Sequence, residues 1–188
     1  MSYNTGNYVS VLSHGLMVDG EAAGSGAVPT RTLCANLVAQ LESTWVPASP
    51  DSVTRAYYVR TADSDDAALA QTSGRRVTIA PSLPGAYSYT PENRGCDRYT
   101  HNVSVLIEKR YTTAGDVPTS WIDTEVDWIY NYIVLGFDWD NRTGASCPFN
   151  PLLVTDSAEI QLLDLSDLLT AKLFSCQVDI VFHELVSA

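Results

Sequence analysis

Between residues 98 and 111 the side chains alternate with a period of two, which only an extended strand satisfies. Tyr99, Val103, Val105, Ile107 and Tyr111 share one parity, with His101 and Lys109 between them. Asn102, Ser104, Glu108 and Arg110 take the other parity, interrupted only by Leu106. That pattern sets one face on a core and one toward solvent or a neighbour. The end of the chain repeats it: Phe174, Cys176, Val178, Ile180 and Phe182 point one way, and Ser175, Gln177, Asp179 and His183 the other.

Helical spacing appears twice. Leu33, Leu37 and Leu41 recur every fourth position beside Cys34, Val38 and Trp45, with Thr30 as a candidate cap and Pro47 and Pro50 as terminators. A second helix is expected from Ser120, as its cap, to Leu135, with Asp123 in the first turn favouring the positive helix end. One apolar stripe is Ile122, Val126, Ile129 and Ile133, and beside it runs Trp121, Trp128, Tyr132 and Leu135. Such a wide face suits a helix that meets both its own sheet and something else.

Strands are also expected at 52–60 and 75–80. Residues 61–74, 81–97 and 137–157 read as loops, the first carrying Asp63, Asp65 and Asp66. Residues 158–170 fit a strand at Ile160 and Leu162 or a short helix at Leu165, Leu168 and Leu169. The fold class expected is α+β, a mixed, mostly antiparallel sheet with two main helices on one face and long loops. Residues 30–188 would make a single domain behind a polar arm at 1–29, since 188 residues hardly suffice for two. The arm lacks the basic start and apolar core of a secretory signal, and no apolar run is long enough to span a membrane.

Charge is unevenly placed. Residues 1–115 hold nine Lys/Arg against ten Asp/Glu, whereas residues 116–188 hold only Arg142 and Lys172 against twelve, so almost all of the net −11 lies in the last two-fifths. Such a field disfavours sequence-reading contact with nucleic acid. It suits an ordinary solubilising surface, or a surface that a polyanion slides past. Cys34, Cys96, Cys147 and Cys176 have long spacings and no C-x-x-C pair. They read as buried free thiols, with a Cys96–Cys147 bridge as the alternative.

Motifs for chemistry are missing. The sequence has no H-E-x-x-H, no phosphate-cradling glycine motif and no G-x-S-x-G. The segment from Asp138 begins like a calcium loop, but Arg142 stands where an oxygen ligand belongs and Thr143 where glycine belongs. Asp63, Asp65 and Asp66 suit a solvated loop better than a cation site, and Asp123 and Asp127, one helical turn apart, repel mildly. His101 and His183 lie within strands and are candidates to pair across a sheet. The expectation is therefore a non-enzyme without cofactor or metal, whose aromatic side chains favour protein contact or fill a core under its loops.

The order of these elements, with "IEKRYT" ending one strand, "SWIDTEVDWIYNYI" opening a helix and "LFSCQVDIVFHE" as the last strand, resembles the tail-terminator and neck proteins of long-tailed bacteriophages over residues 30–187. The long loops and the arm depart from the small members of that family. The resemblance implies a mixed sheet with helices on one face and a homo-hexameric ring that caps the tail tube, contacts the tail-tube protein and joins a head connector. It implies a virion location, with DNA passing through and no base-specific grip. Contact residues would then be Asp63, Asp65, Asp66, Arg75, Arg76, Trp121, Trp128 and Trp139. The rivals are another neck or tail-tube subunit, or a stand-alone ligand- or glycan-binding module.

Overall fold

The computed structural model describes residues 29–45, 47–48, 50–58, 74–82, 87–93, 96–140, 145–162 and 165–187. The arm, the acidic loop with Asp63, Asp65 and Asp66, and the calcium-loop positions Arg142 and Thr143 lie outside those residues. In chain order the elements are α1 (Thr30–Thr44), β1 (Ser52–Arg55), β2 (Arg76–Pro81), β3 (Tyr87–Asn93), β4 (Cys96–Arg110), α2 (Thr119–Ile129) continued by a π turn (Tyr130–Val134), β5 (Leu153–Leu162), α3 (Leu165–Thr170) and β6 (Leu173–Ser187). The fold is α+β.

Two fifteen-residue strands form the spine. β4 and β6 pair antiparallel along their whole length, from Cys96 opposite Ser187 to Arg110 opposite Leu173. β5 runs antiparallel on the far side of β6, while β2 and β3 sit end to end on the other side of β4. β1 joins β2 in the one parallel pairing among the described residues, giving the order β1-β2-β4-β6-β5. The alternation in β4 and β6 sets the core: Val103, Val105 and Ile107 lie on the same buried layer as Phe174, Val178 and Phe182. Leu33, Leu37 and Leu41 of α1 and Ile129 and Ile133 of α2 close over it, so both helices cover one face.

Several expectations are corrected. Neither helix has the cap foreseen. Pro29 precedes α1 and Pro118 precedes α2, and each proline carbonyl accepts the first helical N–H bonds (Thr32 and Leu33, Trp121 and Ile122). Thr30 is inside α1 instead, with Oγ1 3.0 Å from His101 Nδ1. Strand 52–60 shortens to β1, because the backbone bends at Tyr57 and Tyr58. The loop expected at 81–97 contains β3, which forms a hairpin with β4. Pro91 is tolerated there because β3 lies at the sheet's margin, with a bulge between Pro91 and Asn93. The end of the expected loop at 137–157 is strand from Leu153, and 158–170 holds both of its alternatives, the rest of β5 and α3.

Within α2, Glu125 rather than Val126 faces inward, and Val126 and Leu135 are exposed. The π turn, in which Leu135 N donates to Tyr130 O, shifts the last residues around the axis and takes Leu135 off its stripe. The second face of the sheet is not simply solvent-facing: Ser104, Leu106 and Glu108 are all buried. Its polar groups are matched, Arg76 to Glu108 at 2.7 Å and Ser104 to Asp179 at 2.5 Å.

Candidate interaction surface

Arg75 precedes β2 and turns under the helices. Its Nε and Nη2 donate to Glu125 Oε2 at 3.0 and 2.6 Å, and Lys109 Nζ donates to Glu125 Oε1 at 2.6 Å. The guanidinium lies 4.0 Å from the Trp128 ring and 5.3 Å from the Trp45 ring. Arg75, at 7% exposed, and Trp128, at 8%, are therefore locked inside the subunit. Trp139, at 5%, packs against Phe137, Phe149 and Phe182. These three were expected at subunit contacts. Their burial takes them away from any neighbour, because a side chain already desolvated in its own fold has no area left to lose. Arg76 is partly exposed but committed to Glu108, and Trp121 is half-buried against Tyr111 and Phe174.

Two histidine clusters follow from strand register. His101 faces the helices, where Nε2 lies 3.4 Å from Glu184 Oε2, and Asn150 Nδ2 donates to Glu184 Oε1 at 2.7 Å. His183 faces the other way, directly opposite Thr100, with Nδ1 3.1 Å from Thr100 Oγ1 and Nε2 3.3 Å from Asp156 Oδ2. The two imidazoles therefore stand on opposite faces and do not pair, contrary to expectation. Thr30–His101–Glu184 has the connectivity of a nucleophile, a base and an orienting acid, but all three are buried. In the fold it satisfies polar groups that a buried sheet end would otherwise leave costly.

The thiols of Cys34, Cys147 and Cys176 are free and buried, so Cys147 forms no bridge with Cys96. Burial pushes Cys34 up to about 12, an effect the charge of Arg55 partly offsets, and it pushes Cys176 up to about 11. A thiol so shifted is a poor nucleophile. Among the described residues, no group of three or more His, Cys, Asp or Glu is placed to hold a metal ion. No helix among them is long and apolar enough to cross a membrane.

Besides Val126, Tyr130 and Leu135 on and after α2, exposed large apolar side chains stand at the ends of the sheet. Among the described strands β5 pairs with β6, and at the start of its other edge Thr155 N donates to Trp139 O at 3.0 Å; its residues from Asp156 to Leu162 are exposed on both faces. Ile160 and Leu162 stand on the helix-covered side by register, opposite Val178 and Cys176, but the helices do not extend over them. Exposed Leu169 of α3 follows. At the other end, β1 leads into exposed Tyr57 and Tyr58, with Arg55 5.8 Å from the Tyr57 ring. Sequence reasoning missed these residues by giving Tyr57 and Tyr58 to a strand and leaving Ile160 and Leu162 unresolved. The signal available was an apolar alternation in a segment otherwise polar and acidic.

The acidic half also divides by position. Glu125 and Glu184 are buried, whereas Asp116, Asp123, Asp127 and Asp138 are exposed on and around α2, and Asp156 and Glu159 on β5. This geometry defines an α+β fold whose sheet, among the described residues, ends at β1 and β5, with an acidic surface on α2. No protein-family model matches the chain, and no curated protein sequence matches it.

Proposed function

We propose that the chain is a structural subunit of a long-tailed phage virion: a tail terminator at the head–tail junction, assembled as a ring that ends tail-tube growth and receives a head connector. One observation carries the reading. Among the described residues the sheet ends at β1 and β5, and β5 bears exposed Ile160 and Leu162 from Asp156 onward. A strand edge that exposes large apolar side chains invites contact with another chain. The one-sided helical cover agrees with the layout that the element order suggested. The exposed carboxylates on α2 support a surface on which a polyanion does not stick.

The test is electron microscopy of particles made without this protein. Overlong or headless tails are expected. Normal virions overturn the proposal, and complete tails that merely leak DNA move the chain to another neck position.

A further inference from the structure

We infer that the ring contact is made by β5 of one copy docking beside β1 of the next, head to tail. This rests on the ring reading above and adds to it the surfaces that meet. The two edges terminate the same sheet, so joining them continues it from subunit to subunit without either copy changing fold. Beyond Thr155, whose N–H already donates to Trp139 O, alternate backbone N–H and C=O groups of β5 point away from β6.

Side-chain chemistry selects the partner edge. No Lys or Arg occurs between Arg142 and Lys172, and β5 exposes Asp156 and Glu159. Pairing β5 with β5 of a second copy would set acid against acid. β1 itself carries no carboxylate, and its one charged side chain, Arg55, lies on the helix-covered face, where Nη1 donates to the Arg31 carbonyl at 3.4 Å. The apolar parts match as well: Leu162 is 62% exposed and Tyr57 78%, and each would lose contact with water on meeting the other edge. A contact between two different surfaces closes into a ring when its rotation permits, whereas a like-with-like contact stops at a dimer.

The experiment is cross-linking with a short bismaleimide between variants of the full chain that each add one cysteine to the four already present. Ala158 and Tyr57 are both exposed, so neither substitution disturbs the core. Mixing Ala158→Cys with Tyr57→Cys is expected to give cross-linked pairs, and Ala158→Cys alone none above the parent chain. As an independent readout, Ile160→Lys with Leu162→Lys is expected to weaken self-association by at least about a hundredfold, with the thermal midpoint held. Cross-linking of Ala158→Cys to itself overturns the inference in favour of a two-fold dimer. Association that survives the double-lysine change overturns it too, while leaving the ring reading intact. That reading falls separately, on normal virions from particles lacking the chain.

Discussion

Replacing Glu125 by Gln keeps the shape of the side chain and removes one charge, so it isolates what that charge does. Glu125 is 1% exposed and accepts three hydrogen bonds from two cations. Lys109 retains 22% side-chain exposure and can swing its ammonium toward water, but Arg75 retains 8% and cannot. The loss therefore concentrates on Arg75, and removing one partner of a buried pair costs about 3–5 kcal/mol. The faces of Trp45 and Trp128 still hold the guanidinium, a contribution of about 1–2 kcal/mol that survives the change and points to the lower end of that range. A loss of about 3 kcal/mol in a domain of this size corresponds to a fall in midpoint of about 6–12 °C. Urea unfolding followed by tryptophan fluorescence reads the loss, and Arg75→Met with Glu125→Leu is the control. If uncompensated charge is the cause, the apolar pair recovers about 2 kcal/mol or more relative to E125Q. An E125Q protein within about 1 kcal/mol of the parent refutes the reasoning.

Other changes probe the frame around that cluster. Leu37→Ala, at a fully buried site of α1, is expected to cost about 2–5 kcal/mol by urea unfolding. Gly74→Ala would drive a methyl group into the Pro50 carbonyl, beside the 2.6 Å bond from Arg75 N to Asp51 Oδ1 that ties β1 to β2. The expected cost is about 1–3 kcal/mol, read as a lower thermal midpoint. Cys34 keeps its proton in the fold to about pH 12, whereas its ordinary value is 9.0. Between those values the unfolded chain binds fewer protons, so this contribution to stability is whole below pH 9 and is lost as pH rises above it. Cys34→Ala should accordingly lose less stability than the parent on going from pH 8 to alkaline conditions, as equilibrium unfolding at each pH will show.

The spine of the fold was legible because its periodicity is strong. β4 and β6 are each long enough for the alternation to identify the buried face, and the Leu33–Leu37–Leu41 spacing leaves one reading for α1. β3 was hidden because Pro84, Gly85, Pro91 and Gly95 mark its surroundings as loop, and a margin strand tolerates what a central one does not. The inward turn of Glu125 could not be read locally. It depends on Arg75 and Lys109, which are 50 and 16 residues away and arrive there only through the sheet. The same limit explains the contact residues: tryptophans look like interface anchors in a sequence, and burial alone separates an anchor from a core residue. Trp128 and Trp139 fall on the core side of that division.

The two proposals constrain each other through the charges. Twelve carboxylates follow position 115, and not all of them are free to shape a channel. Glu125 and Glu184 are consumed inside the subunit by Arg75, Lys109, His101 and Asn150. If β5 meets the next copy's β1, Asp156 and Glu159 lie in or beside that contact, on the sheet face away from the helices. Among the described residues, the fully exposed carboxylates that then remain are Asp116, Asp123, Asp127 and Asp138, on and around α2. Among the described residues, a ring built on this sheet edge offers passing DNA its more repelling wall by turning its helices inward, because on the opposite face Glu108 is paired with Arg76 and Asp179 with Ser104 and Gln177. A ring with α2 on its outer rim would still terminate a tube, but the carboxylates around α2 would take no part in its lumen.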